Sequence, residues 1–180
     1  TDDAAGEAFD KVARVLSIPY PGGPLLDKLA DEGDDHAYKF PRPHTEGKYD
    51  FSFSGLKTAV INQAHNLRQQ GVEIVAKDFA ASFRRSVVDL LVDKSVAAAR
   101  DTGARQLAVA GGVAANSLLR SELQRRGEKA GMRVFIPPKG LCTDNAVMIG
   151  AAAFYRLMAG EVAGLDLNAM PALRMIETAG

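Results

Sequence analysis

The sequence is poor in the residues that crosslink or anchor a chain. It contains one cysteine, Cys142, in 180 residues. A single thiol excludes a disulfide framework and a zinc site built from several thiolates, and it favours a reducing compartment. No run of apolar residues is long enough to span a bilayer. We therefore expect a cytoplasmic protein with no membrane partner.

Neither sign of charge is in excess. The 22 lysines and arginines equal the 22 aspartates and glutamates in number, so no global field attracts nucleic acid. Any contact with RNA requires a local patch. The basic residues that could form one are Lys57, Arg84, Arg85, Arg120, Arg125, Arg126 and Lys129. A solvated helix face is the alternative interpretation of these residues, and it is the one that we favour.

Several catalytic signatures are also missing. The sequence has no HExxH, no GxSxG and no P-loop, which leaves a zinc metalloprotease, a serine hydrolase and a P-loop nucleotidase without a motif. The histidines show no metal-ligand spacing among themselves. The chain begins with Thr1 rather than methionine, so the lack of a targeting segment excludes nothing.

The first part of the sequence has the apolar period of helices. The spacing predicts helices over 4–16, 25–30, 56–69 and 73–100. Three prolines and two glycines between residues 18 and 24 predict a break without helix. The charged stretch 31–49 predicts a long exposed loop, followed by an extended segment near Phe51 and Phe53.

The last part of the sequence changes to an α/β pattern. Residues 106–112 and 132–138 predict two strands, the first of them buried, and each is followed by a helix, at 117–129 and 143–158. Strand, loop and helix in succession predict parallel strands with crossover helices. Because two parallel strands cannot bury both sheet faces alone, we expect this chain to be part of a larger fold.

The glycine pair Gly111-Gly112, followed by Asn116, lies where the first predicted strand meets a helix. Ligands of α/β proteins bind at such carboxyl ends, and glycine allows the backbone to approach a nucleotide. The alternative is a tight turn in which Asn116 only caps the helix. Spacing alone favours the cap.

Asp144 precedes the last predicted helix. Either Thr143 or Asp144 caps that helix, or the carboxylate of Asp144 is a metal ligand. One carboxylate is weak evidence for a metal site. Asp10 and Lys11, one turn from Glu7, are typical of solvated pairs on a helix, although PGGP follows soon after.

Five stretches in order carry a resemblance to one family, and they are DDAAGEAFDK, YPGGP, FSFSGLKTA, AGGVAANSLLR and CTDNAVMIG. The sequence resembles the C-terminal half of the tRNA N6-adenosine threonylcarbamoyltransferases over about residues 1–160. The resemblance implies an α/β fold, the incomplete C-terminal lobe of an actin/Hsp70-like (ribonuclease-H-like) protein with a largely helical insertion. It divides the chain into 1–104, 105–160 and a tail, 161–180.

The resemblance also implies an activity and a site. The activity is transfer of threonylcarbamoyl from threonylcarbamoyl-AMP to N6 of the adenosine 3′ to the anticodon, in tRNAs that read codons beginning with A. Asp10, Gly23 and Asn116 match substrate-binding or nucleotide-binding positions, and Asp144 matches a ligand of one iron or zinc ion. The implied partners are tRNA, a paralogous subunit and an ATPase.

One departure from the family is large. Its metal-binding HxxxH motif and its SGGH loop precede the region matched here, and neither occurs in this sequence. We therefore predict that the chain alone neither binds metal tightly nor transfers threonylcarbamoyl. The alternative hypothesis is a non-catalytic nucleotide-binding or scaffold lobe of a tRNA-modification complex. A sugar-kinase lobe is a third, against which FSFSGLKTA argues.

Overall fold

The computed structural model describes residues 4–43 and 45–170, and it comprises two compact units, Thr1–Thr143 and Asp144–Gly180. The chain is mixed α/β and mostly helical, as predicted. Its two strands are β1 (Gln106–Ala108) and β2 (Arg133–Phe135). Its helices are α1 (Ala5–Val15), α2 (Gly22–Ala30), α3 (Ser54–Gln69), α4 (Ala76–Asp101), α5 (Ser117–Lys129) and α6 (Ala146–Met158).

Helix α2 begins earlier than the sequence predicts. Its first residues are Gly22, Gly23 and Pro24, in the stretch that was expected to exclude helix. That expectation was wrong because the N–H groups of a first helical turn have no intrahelical acceptor, so a proline there forfeits no hydrogen bond. The early start places the backbone of the PGGP stretch beside α1.

Helix α4 is central to the first unit. Phe79, Phe83 and Val87 are fully buried on it and pack with α1, α2 and α3 in one hydrophobic cluster. Farther along α4, Val92 and Val96 belong to a second cluster with α5 and the strands. A single helix thus connects the helical and the α/β parts of this unit, and its predicted apolar stripe is confirmed.

The stretch between α2 and α3 has no helix or strand among its described residues, as predicted, but it is not simply an exposed loop. The rings of Tyr38 and Phe40 meet Phe79 edge to face, with centroids 5.0 and 5.2 Å apart. The backbone N–H of Tyr38 donates to Ser82 Oγ at 3.1 Å. Two aromatic side chains therefore fix this segment on α4.

The two strands pair in parallel, as predicted, with Leu107 opposite Val134. Each contains three residues, and only the middle one is partly buried. The prediction of a buried first strand was therefore wrong. Successive side chains of a strand point to opposite faces of the sheet. Leu107 packs against the second cluster, and the residues that flank it lie on the other face, which is exposed.

The second unit contains α6, and no residue of α6 is buried. Asn145 caps this helix, since its Oδ1 accepts from the N–H of Met148 at 3.0 Å. The predicted cap by Thr143 or Asp144 was therefore wrong by one or two positions. No helix in the described part of the chain combines the length and the apolar character of a membrane span.

Candidate functional site

The first unit contains an open cavity of about 750 Å³. Volumes of this order hold small-molecule ligands and cofactors. The first two turns of α1, one face of α2 and the stretch that leads into α5 form its wall. The lining residues that matter for its chemistry are Asp10, Tyr20, Gly23, Asp27, Gly112 and Asn116.

Asp10 joins α1 to the start of α2. Its Oδ1 accepts from the backbone N–H of Gly23 at 3.0 Å, and this N–H belongs to the first turn of α2, which has no intrahelical acceptor. A carboxylate at a helix N-terminus also complements the helix dipole. The solvated-pair interpretation therefore applies to Lys11, which pairs with Glu7, and not to Asp10.

Asn116 caps α5, as spacing alone favoured. Its Oδ1 accepts from the N–H of Leu119 at 2.9 Å. Its Nδ2 donates to Asp27 Oδ1 at 2.7 Å, and the residue is 8% exposed at the cavity wall. The cap is thus confirmed. A ligand contact by Asn116 stays a prediction, and one amide hydrogen is left for it, since an NH₂ group has two.

Asp27 is a site residue that the sequence analysis missed. Its Oδ1 accepts from Asn116 Nδ2, and its Oδ2 accepts from the backbone N–H of Ser117 at 3.0 Å. It therefore ties α2 to the start of α5, across 89 residues of sequence. The available signal was its position four residues after Gly23, which places both on one face of α2.

The basic patch considered from the sequence is largely paired within the chain. Arg125 lies 2.6 Å from Glu122, and Arg126 pairs with Asp93. Arg120 donates to the carbonyl oxygens of Ala114 and Pro137, both at 2.9 Å. Arg126 and Arg120 thus fix α5 to neighbouring elements, whereas Arg125 pairs within α5, and none of these contacts needs a phosphate ligand.

Asp144 belongs to the second unit, and its side chain is exposed. Within the described residues, no three side chains of His, Cys, Asp or Glu are grouped to hold a metal ion. His36 is beside Asp35 at 3.3 Å, and His44 lies outside the described residues. The residues described here therefore do not fit a metal centre by themselves.

Comparisons with known proteins agree with the motifs. The sequence profile of the tRNA N6-adenosine threonylcarbamoyltransferases matches residues 1–151. A protein of that name from Moorella thermoacetica is 58% identical over 173 residues, which cover 96% of this chain and 51% of the relative. Another from Clostridium botulinum strain 657 is 52% identical over 177 residues, 98% of this chain and 52% of the relative. A third from Clostridium perfringens strain SM101 is 49% identical over 177 residues, again 98% of this chain and 52% of the relative. The chain spans about half the length of the curated relatives it matches.

Proposed function

Because the chain belongs to the tRNA N6-adenosine threonylcarbamoyltransferase family, we propose that it is the C-terminal part of an enzyme with that activity. The enzyme transfers threonylcarbamoyl from threonylcarbamoyl-AMP to N6 of the adenosine 3′ to the anticodon, in tRNAs that read codons beginning with A. Its fold is the ribonuclease-H-like lobe of an actin/Hsp70-like protein. Within this chain, the cavity beside α1, α2 and α5 binds the adenylate.

Two glycine pairs carry this proposal, and the first is Gly22-Gly23. A Cβ on Gly22 would lie 2.6 Å from the Cβ of Ala13, so the packing of α2 on α1 requires glycine there. A Cβ on Gly23 would meet only ordinary contacts, at 3.8 Å or more. The folded chain has no need of glycine at position 23, yet Gly23 is the member of the pair that lines the cavity.

The second pair, Gly111-Gly112, follows the same pattern. Gly111 has φ of 89°, a backbone conformation that favours glycine. A Cβ on Gly112 would meet nothing within 4 Å, and Gly112 lines the cavity. In each pair, packing or backbone conformation explains one glycine and leaves the other unexplained, and the unexplained one lines the cavity. A nucleotide lying against bare backbone explains these two glycines, because a Cβ would occupy its place.

Other groups of the cavity suit the parts of an adenylate. Asp10 uses one carboxylate oxygen for Gly23, and the other can accept a hydrogen bond from a ribose hydroxyl. Tyr20 is 87% exposed at the rim, where its ring can stack on adenine. The exposed lysines Lys28 and Lys139 are rim residues with the charge that a phosphate attracts.

The proposal includes an iron or zinc ion with Asp144 as one ligand. Such an ion would supply Lewis acidity toward the carbamoyl carbonyl. Since one exposed carboxylate does not make a metal site, the remaining ligands are assigned to the part of the enzyme outside this chain. We also propose tRNA as substrate, a paralogous subunit and an ATPase as partners, and the cytoplasm as location.

Alanine substitutions in the full-length enzyme test the cavity assignment. Gly23→Ala and Gly112→Ala should each weaken AMP binding by about tenfold or more, as for one lost good contact, with little change in melting temperature. Gly22→Ala should lower the melting temperature instead, because its Cβ clashes with Ala13. Isothermal titration and thermal unfolding measure the two effects.

The control is Gly55→Ala in α3, where an added Cβ meets only Pro43 at 3.9 Å and which does not line the cavity. It should leave both AMP affinity and melting temperature close to the unmodified enzyme. Unchanged AMP affinity in both Gly23→Ala and Gly112→Ala would contradict the proposal. A cavity that binds AMP in an enzyme that does not modify tRNA would favour the scaffold hypothesis.

A further inference from the structure

We propose that Arg84, a residue outside the cavity, is a positioning residue that fixes Asp27 and, through it, Asn116. The inference rests on the proposed function in one respect: it takes the adenylate as the ligand whose affinity depends on this arrangement. The geometry of the chain itself is independent of that assignment.

The guanidinium of Arg84 reaches several groups of α2 from α4. Its Nη1 lies 2.9 Å from Asp27 Oδ1 and 2.6 Å from Asp31 Oδ1, and it also donates to the carbonyl oxygen of Asp27 at 2.9 Å. Its Nη2 donates to the carbonyl oxygen of Ala30 at 3.1 Å. A contact of 3.3 Å to Ser117 Oγ adds the start of α5. One side chain thus holds α2 and α5 to α4.

Stability alone does not explain an arginine at this place. Arg84 is 6% exposed, and its neighbours Phe83, Val87 and Val88 on α4 are buried apolar residues. A buried guanidinium stays charged, and well-packed apolar residues often replace buried ion pairs without loss of stability. Its Nε is buried without a hydrogen-bond partner in the described structure, which adds a further penalty. We infer that the site, rather than the core, requires this charge.

Asp27 is the group that requires the positive charge of Arg84. Its side chain is 16% exposed, and its two oxygens hold Asn116 Nδ2 and the N–H of Ser117, which are neutral donors. A carboxylate this buried is costly without a cation beside it. Arg84 supplies that cation from behind the cavity wall, and its hydrogen bond holds Asp27 Oδ1 beside Asn116 Nδ2.

This arrangement orients the side-chain amide of Asn116. A carboxylate only accepts and a backbone N–H only donates, so Asp27 and Leu119 together permit one orientation of the Asn116 amide. Without Asp27, the single hydrogen bond from Leu119 would orient the amide, and the NH₂ group would lose the acceptor that holds its direction. The remaining amide hydrogen of Asn116, which faces a ligand in our proposal, is therefore placed through Arg84.

The next residue, Arg85, provides a matched control. It also lies on α4 and forms ion pairs, with Asp35 at 2.6 Å and Glu122 at 3.5 Å. Neither partner lines the cavity. Arg84 and Arg85 therefore differ in whether their carboxylate partner touches the site.

The test compares Arg84→Met, Arg84→Lys and Arg85→Met in the full-length enzyme. We expect Arg84→Met to raise the Kd for AMP and the KM for threonylcarbamoyl-AMP about tenfold, the equivalent of one charge-assisted hydrogen bond. Arg84→Lys, which folds with its charge retained but lacks the planar fork, should lie between Arg84→Met and the unmodified enzyme. Arg85→Met should leave Kd and KM unchanged. The kcat of each variant should change less than its KM, since Arg84 touches no reacting atom.

A double-mutant cycle and a ligand-free signal complete the test. In an Asp27→Asn background, Arg84→Met should change the Kd for AMP less than twofold, because the group through which it acts is already altered. The two side-chain amide proton signals of Asn116, observed by NMR without ligand, should shift in Arg84→Met and not in Arg85→Met.

Each outcome is decisive. Unchanged AMP affinity in both Arg84 variants, or a second tenfold loss in the Asp27→Asn background, overturns the positioning role. If the unmodified enzyme binds no AMP, the proposed ligand fails, and the Asn116 signals then decide alone. A shift specific to Arg84→Met upholds the role of Arg84, and unshifted signals overturn it.

Discussion

Helices α4 and α6 show that burial does not follow from composition. Helix α4 carries many charged residues, yet one face of it is fully buried, with Phe79 and Phe83 in the core. Helix α6 has a single charged residue, Arg156, and no buried residue. The partner elements decide the difference: α4 packs on α1, α2 and α5 within its own unit.

The exposed face of α6 is apolar, and large exposed apolar patches usually mark an interaction surface. The exposed side chains of α6 include Ile149, Phe154 and Leu157.

The largest expected effect compares a phenylalanine from each helix. Phe83 is fully buried and meets Phe9 edge to face at 5.1 Å, so Phe83→Ala should reduce the free energy of unfolding by about 3–5 kcal/mol. Phe154 is 58% exposed, so Phe154→Ala should change it by less than about 0.5 kcal/mol. Urea unfolding of the 180-residue chain measures both. Equal losses would show that α6 is packed in this chain after all.

The next effect compares two asparagine caps. Asn116 caps α5 and also donates to Asp27, whereas Asn145 caps α6 at an exposed position. Asn116→Ala should lower the free energy of unfolding by about 2 kcal/mol, because the cap and a hydrogen bond to a charged group are both lost. Asn145→Ala should lower it by about 0.5 kcal/mol, at the lower end for caps.

The same pair distinguishes a cap from a ligand contact in the full-length enzyme. Asn116→Ala should weaken AMP binding, and Asn145→Ala should not. If Asn116→Ala lowers the melting temperature while AMP affinity is unchanged, Asn116 is only a cap. Isothermal titration beside thermal unfolding provides the answer.

Local signals in the sequence predicted most of the fold and part of the site. The bounds of α5 follow from the cap Asn116 and the helical period, and the structure has them as predicted. The start of α2 was missed because proline and glycine are helix breakers only beyond the first turn. The exposure of β1 depends on how many strands accompany it, and a strand pattern does not contain that number.

The sequence indicated only those candidate site residues that lie within local motifs. Asp10, Gly23 and Asn116 line one cavity, as the resemblance implied, whereas their ligand contacts stay predictions. Asp27 was not identified, and Arg84 was considered only for a phosphate-binding patch or a solvated helix face, whereas it is buried. The roles of both residues depend on pairings across 89 and 57 residues. An isolated aspartate on a helix looks like a solvated charge until its partners are known.

The smallest expected effect compares one carboxylate from each region under acid. Burial would raise the pKa of Asp93 on α4, but hydrogen bonds from Arg126 and Arg42 outweigh it and hold that pKa below the ordinary 3.8. A lowered pKa in the folded state means that this stabilisation is complete above about pH 5 and is lost as the pH falls below 4. Asp93→Asn should thus lower the free energy of unfolding by about 1 kcal/mol at pH 6 and by much less at pH 3.

The matched control is Glu161, which follows α6 and lies 2.7 Å from Arg156 of that helix. Both side chains of this pair are mostly exposed, so Glu161→Gln should have almost no effect at either pH. Urea unfolding of both variants at the two pH values measures the difference. A loss in Asp93→Asn that is the same at pH 6 and pH 3 would mean that the arginines attract the charge of Asp93 no more than water does. The ion pairs between α4, α5 and the stretch near Arg42 would then add nothing to stability. Helix α4 would differ from α6 only in its apolar contacts.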